Sequence, residues 1–418
     1  MAFALAFPLV MVGACERGGS TTDLGPTTAP ADAPVDLDAL ADELAHRFII
    51  LDGHVDAPMQ AVDAERRGEA APPIHDHAET NFDYPKARQG GLDAPFMSIY
   101  TPADLQAEAG ASKQFAEQRI DYVLALAAAH PDKFALARNP AEVETNFAAG
   151  LISLPLGMEN GSPIETDLAN VAHFHERGVR YITLTHSKDN AICDSSYDDR
   201  HTHQGLSAFG REVVAEMNRV GIMIDVSHVS DQTFAQVMEL SAVPVIASHS
   251  SCRHFTPGWE RNMSDEMIQA LAAKGGVIMI NFGGSFLSQE YQQAADAGKA
   301  ALQVVLDEHG LSRDDPAAKE LVEAYRAEHP IPHVALSVVA DHIDHVVELV
   351  GIDHVGLGSD FDGVGDSLPA GLEDVSMYPK LIAELLRRGY GEADIQKICS
   401  GNALRVWQAV EDYAAARR

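Results

Sequence analysis

Phe48-Ile49-Ile50-Leu51-Asp52-Gly53-His54-Val55-Asp56 carries metal-ligand residue types directly behind a β-branched apolar run. The arrangement recurs downstream. Ile152-Ser153-Leu154-Pro155-Leu156-Gly157-Met158 leads into Glu159, and Ile222-Met223-Ile224-Asp225-Val226-Ser227 leads into His228. Val245-Ile246-Ala247-Ser248 leads into His249, and Val355-Gly356-Leu357-Gly358-Ser359 into Asp360. A continuous apolar run of this length reads as a strand buried on both faces, as in a parallel sheet. Amphipathic stretches alternate with these runs at Lys113 to Ala128, Thr166 to Arg177, Phe209 to Val220, Ser230 to Leu240, Ser264 to Lys274, Leu336 to Leu349 and Tyr378 to Arg388. Tyr181 to Leu184 and Val277 to Asn281 supply further strands. Arg177-Gly178 and Lys274-Gly275-Gly276 close helices just before strands, as C-caps do. The expected fold is α/β, a TIM-type (β/α)8 barrel. Its strand C-termini converge on one face, so His54, Asp56, Glu159, His228, His249 and Asp360 would meet despite their separation in sequence.

The 418 residues, 46% hydrophobic, suffice for one large core. A balance of 62 acidic to 30 basic residues gives a net charge of −32. That charge repels nucleic acid and anionic lipid surfaces at long range, which argues against both as partners. The chain opens on an apolar stretch, Met1 to Cys15, ending in Val12-Gly13-Ala14-Cys15. This is similar to a signal-peptide core with a bacterial lipoprotein's lipobox. It implies export, with a lipid on Cys15 as the sole membrane contact, and a periplasmic-face location. No Lys or Arg precedes the apolar stretch; a leader that is not a signal would leave the chain cytoplasmic. Glu16 to Pro34 reads as a flexible tether. The expected organisation is a leader at residues 1–36 and a catalytic barrel at 37–418. Within the barrel, a charged, helix-rich insertion at about 283–332 would cover the mouth or build a subunit contact. Cys193, Cys252 and Cys399 form no Cys-x-x-Cys pair, so a thiolate metal site is excluded by spacing.

Each residue behind an apolar run has an ordinary reading beside the chemical one. A lone His-x-Asp means little, but in an extended segment residues i and i+2 share a side, so His54 and Asp56 could reach one ion. Glu159 could be a turn carboxylate or a bridge between two ions. His228 and His249 at successive strand ends are a stronger signal than either alone. Asp362 competes with Asp360, and Asp362-Gly363 also fits plain turn chemistry.

The ordered set of segments resembles the membrane dipeptidase (renal dipeptidase) family of zinc metallopeptidases. Its carriers are Asp52-Gly53-His54-Val55-Asp56, Arg180 to Ser187, Gly205 to Gly210, Ile224 to Ser230, Ala247 to Ser251, Arg261-Asn262 and Gly356 to Gly363. They span nearly everything from His54 to Asn402 in the family's order. The resemblance implies an amidohydrolase-like metal-dependent hydrolase barrel with two zinc ions per chain. One zinc would be held by His54, Asp56 and Glu159, the other by Glu159, His228 and His249, with Glu159 and a water or hydroxide bridging them. It also implies His186 over the scissile carbonyl, Arg261 on the substrate's C-terminal carboxylate and Asp360 as proton shuttle. The implied substrate is a small dipeptide with an L- or D-residue at its C-terminal side, and the implied assembly a homodimer. Ser187-Lys188-Asp189-Asn190, the Asp- and His-rich loop Ala191 to His203, and Ile280-Asn281-Phe282-Gly283-Gly284 depart from the best-known mammalian members. They would wall the pocket, so side-chain preference does not carry over. Two other readings stay open: a different amide, lactone or peptide-maturation hydrolase on the same scaffold, and a catalytically silent peptide-binding lipoprotein.

Overall fold

The computed structural model describes residues 35–312 and 315–417. The leader, with Cys15, lies outside the described residues. From Leu37 onward the chain forms one compact unit. Its strands are β1 (Ile50–Val55), β2 (Leu92–Ser98), β3 (Leu156–Met158), β4 (Val179–Thr183), β5 (Met223–Asp225), β6 (Ile246–Ser250), β7 (Val277–Ile280) and β8 (Val355–Leu357). All pair in parallel, each with its neighbours in sequence, and β8 closes on β1 through Leu357 and Asp52. The fold is therefore a (β/α)8 barrel.

Helix boundaries follow the capping residues. Ser207, Ser230 and Ser264 each accept a hydrogen bond from the backbone N–H three residues on, so the helices start at Ala208, Asp231 and Asp265. Gly178 and Gly221 end helices in the left-handed region, at φ 110° and 94°. The helix expected from Thr166 begins instead at Ala169, because Asp167 accepts the Ala169 N–H and holds a turn.

Barrel-facing side chains Leu51, Phe96, Tyr181, Met223, Ile246 and Met279 form a cluster with Trp407 and Val410 of the C-terminal helix Asn402–Ala415. Burying each such side chain contributes roughly 1.5–3 kcal/mol. The larger core lies between strands and helices.

Two local expectations are corrected. Ile152 to Met158 is not one strand: Ile152–Leu154 pairs with Phe134–Leu136 outside the barrel, and only Leu156–Met158 enters it. Pro155 has no N–H to donate to a ladder, while its carbonyl accepts from Met97 at 2.8 Å. Nor is Asp56 extended. It turns the chain at φ −88°, ψ 20° into the helix Ala57–Arg66.

Between β7 and the helix Leu336–Val350 run helices Gly284–Leu287, Gln289–Glu308 and Lys319–Glu328. Leu302, Leu306 and Ala318 give this insertion a small core of its own. Among the described residues, no helix is long and apolar enough to cross a membrane.

Candidate metal centre

At the C-terminal end of the barrel, Glu159 stands one residue beyond β3 with its two carboxylate oxygens facing different partners. Oε2 lies 3.3 Å from His54 Nε2, which is itself 3.4 Å from Asp56 Oδ2. Oε1 lies 3.1 Å from His228 Nε2, 3.4 Å from His249 Nε2 and 3.5 Å from His186 Nε2. The turn at Asp56, not strand alternation, brings that carboxylate to His54. His54, Asp56, Glu159, His228 and His249 are all buried.

A set of buried acceptors holds these rings. His54 Nδ1 is 2.7 Å from the Tyr181 hydroxyl. The Ser248 hydroxyl donates to Asp225 at 2.6 Å and lies 2.7 Å from His249 Nδ1. That order puts the His249 proton on Nδ1 and leaves Nε2 bare toward Glu159. Asp225 also accepts the backbone N–H groups of Ser227 and Ser248 and the Thr183 hydroxyl. Asp52 does the same on the other side, accepting from His54 N, Ser359 N and the Tyr378 hydroxyl. Gly157 lets Tyr181 approach: a Cβ there would sit 2.0 Å from the phenol ring.

Strain concentrates here too. His228 at φ 69° and Asp360 at φ 62° occupy the left-handed region, which non-glycine residues seldom visit and which clusters at functional sites.

The electrostatics suit a cation. Burial, followed by nearby positive charge, holds His228 and His249 well below the usual histidine range, so both are neutral donors. Burial opposes ionisation of Glu159, yet the surrounding imidazoles of His54, His186, His228 and His249 together hold its pKa well below normal. At His54 burial is outweighed by Tyr181, Glu159 and Asp56, which draw positive charge onto the ring. His54 Nε2 and Asp56 Oδ1 are buried without a hydrogen-bond partner. A metal ion would satisfy the same field that draws a proton, and neutral imidazoles with carboxylates are the donor set of zinc-type ions. The residues present fit such a group.

Asp360, just past β8, belongs to the same cluster: its carboxylate, the Asp56 carboxylate and the His54 imidazole offer ligand atoms within 4.8 Å of one another. Asn281 donates to it at 2.8 Å. Burial first, then Asp56 and Glu159, push its pKa well above the carboxylate range. Gly363 leaves the space beside it, since a Cβ there would meet Asp360 Oδ1 and Asp56 Oδ2 at 2.2 Å. Asp362 turns away and caps the backbone N–H groups of Asn81 and Phe82.

Arg261 is only 2% exposed. It donates to the Ser250 hydroxyl at 2.7 Å and the His249 carbonyl at 2.8 Å, with its Nε unpartnered. Among the described residues, no carboxylate forms an ion pair with it. The His186 ring is neutral because burial lowers its pKa, and its Nδ1 lacks a partner.

A cavity of about 980 Å³ opens over Glu159, His186, His228 and Asp360. Tyr100, Tyr197, Trp259 and Phe286 wall it, and Tyr291, Lys299 and Tyr325 of the insertion line its outer part. Sequence reasoning assigned no role to Tyr181, Asp225 or Ser248, and placed Asn281 only in the pocket wall. The only signal was a polar group set inside or directly behind an apolar run.

Buried histidines and carboxylates gathered at the strand ends of a (β/α)8 barrel form a candidate metal centre at the face where such barrels carry their active sites. Residues 39–418 match the model of the membrane dipeptidase family (peptidase family M19), and the chain belongs to that family. It is similar to the dipeptidase ataJ of Aspergillus terreus, with 32% identity over 90% of this chain and 87% of that protein. Among solved structures it is similar to the probable dipeptidase PvdM of Pseudomonas aeruginosa, with 27% identity and a TM-score of 0.77 over 91% of this chain and 100% of that one. It is also similar to a Rhodobacter sphaeroides metallopeptidase liganded with a phosphinate mimic of the dipeptide L-Ala-D-Ala. There the identity is 25% and the TM-score 0.71, over 87% of this chain and 99% of that one.

Proposed function

We propose that the chain is a binuclear zinc dipeptidase that hydrolyses free dipeptides, with an L- or D-residue on the C-terminal side. The observation that carries this reading is the split geometry of Glu159, whose two oxygens face His54 and Asp56 on one side and His228 and His249 on the other. Those residues would hold two ions with Glu159 between them. Ions bound there supply Lewis acidity and lower the pKa of water toward neutrality.

The chain's own residues supply the rest. Arg261, buried and without a carboxylate of its own, pairs its fork with the substrate's terminal carboxylate, which compensates the buried charge. A peptide continuing past that point would leave Arg261 unpaired, so the clamp selects dipeptides. His186, neutral and with a free ring nitrogen, donates to the peptide carbonyl oxygen as negative charge builds on it. Asp360, as a carboxylate, takes a proton from the attacking water and returns it to the leaving amine. The phosphinate bound by the R. sphaeroides relative mimics a dipeptide ending in a D-residue, which supports tolerance of that stereochemistry. The proposal extends to a homodimer, supported by the family resemblance, and to export with a lipid on Cys15, supported by Val12-Gly13-Ala14-Cys15.

The test is hydrolysis of L,L- and L,D-dipeptides by zinc-loaded protein, beside C-amidated substrates and the Asp360→Asn variant. Turnover abolished by amidation and by the variant is expected. Turnover insensitive to amidation would overturn the carboxylate clamp and favour another amide hydrolase.

A further inference from the structure

His254, Asp265 and His345 form a second group of ligand-type side chains, with donor atoms all within 4.8 Å of one another and none shared with the Glu159 cluster. They come from three elements. His254 lies in the short turn Arg253–Phe255 after β6, Asp265 opens the helix Asp265–Ala273, and His345 lies on Leu336–Val350. His345 Nε2 is 2.8 Å from Asp265 Oδ1. The His254 ring stacks on that of His345 with centroids 4.4 Å apart and planes 25° apart. Among the described residues, none forms a hydrogen bond with the imidazole nitrogens of His254.

An ordinary ion pair would account for Asp265 and His345. It gives no reason for a second imidazole to stack on the first with a nitrogen near the same carboxylate. A divalent ion shared between the two rings and the carboxylate would account for the placement of all three. Two imidazoles and one carboxylate, exposed on one side, match a zinc site with three protein ligands and a coordinated water. Magnesium and calcium prefer oxygen donors and are poorly served by two nitrogens.

We infer that His254, Asp265 and His345 bind a zinc-class divalent ion that clips the segment between β6 and its helix to the helix following the insertion. That segment contains Arg261, so the ion would fasten both ends of the stretch that presents the guanidinium. The site is independent of the dipeptidase reading.

The experiment is equilibrium dialysis of the full chain against low micromolar Zn2+, with elemental analysis of bound metal and a thermal melt of the same samples. Wild type is expected to bind one more Zn2+ per chain than His254→Ala and than His345→Ala, and to lose part of its Zn2+-dependent melting shift in both variants. Equal zinc content in wild type and His254→Ala would overturn the site. His254 is exposed, so that variant carries the test even if His345→Ala folds poorly. Dipeptide hydrolysis measured alongside separates the two proposals: its absence leaves the one-ion difference standing, and its presence does not rescue a missing difference.

Discussion

The floor and the roof of the cavity are built by opposite rules. On the floor, His54, Glu159, His228, His249 and Asp360 are buried and lie at or just beyond the ends of buried strands. Two of the rings are then oriented by a neighbour: Tyr181 holds His54 and Ser248 holds His249. In the roof, helices Gln289–Glu308 and Lys319–Glu328 rest on a small separate core, and Lys299 and Arg326 stand exposed over the cavity. Chemistry is thus confined to the part of the molecule that cannot move without unfolding. The helices over the cavity have only a small core of their own.

The largest expected effect lies on the floor. Asp360→Asn removes the proposed proton acceptor while keeping the shape and the Asn281 contact region. We expect kcat to fall by about 10²- to 10⁴-fold with bound metal unchanged. A comparable loss from any roof substitution would erase the distinction between the two regions. Stopped-time hydrolysis with elemental analysis decides it.

The same contrast governs what could be read from the amino acids alone. The floor was legible because an apolar run of fixed length ends at one barrel face, so Glu159, His228, His249 and Asp360 are placed by topology. The resemblance then added His186 and Arg261, whose surroundings no periodicity reveals. Asp56 was expected at the right place for the wrong reason, since its turn depends on the handover to the helix Ala57–Arg66. The break at Pro155 was written in the sequence and was outweighed by the apolar pattern around it. The fixing partners Tyr181, Asp225 and Asn281 were hidden because hydrogen bonds between strands depend on register, which one sequence does not specify. In the roof, charge and helical composition were visible, but not which faces would turn toward the cavity.

His342 tests the joint between the regions. It is fully buried, with Nε2 3.1 Å from the Leu287 carbonyl of the insertion and Nδ1 accepting from Cys252 N at 3.1 Å. Burial pushes its pKa down from 6.5 to about 4. A depressed histidine binds its proton more readily in the unfolded chain, so its contribution is full above pH 6.5 and is lost as the pH falls toward 4. The whole effect is about 3 kcal/mol. Chemical denaturation from pH 7 to pH 4 should show wild type losing stability faster than His342→Gln. Parallel slopes would mean that the ring is not neutral in the fold.

Tyr181→Phe asks whether the fixing partners matter as much as the candidate ligands. Removing the hydroxyl frees the His54 ring without opening the barrel, because the phenyl group still packs against Phe96. Loss of such a partner typically weakens metal affinity about 10- to 100-fold. Competition with a chelator should report that loss, while the thermal midpoint of the metal-free protein stays close to wild type. An unchanged affinity would mean that Glu159 and Asp56 alone orient the site.

The smallest effect on chemistry should come from the roof's own core. Leu306 is fully buried against Leu302 and Ala318 and belongs to neither larger cluster. Truncating a buried leucine costs about 2–5 kcal/mol where the surroundings cannot collapse. Here the loss falls on a hairpin that few barrel contacts share, and local stability need not be global stability. Leu306→Ala should therefore raise amide exchange across residues 289–308 and leave the main thermal transition nearly in place. Hydrolysis of small dipeptides should change by less than about tenfold, chiefly through KM, because the reacting groups do not move. If the main transition falls in step with the hairpin, the insertion is part of the barrel's cooperative unit, and the separation of floor from roof fails as energetics even though it holds as geometry.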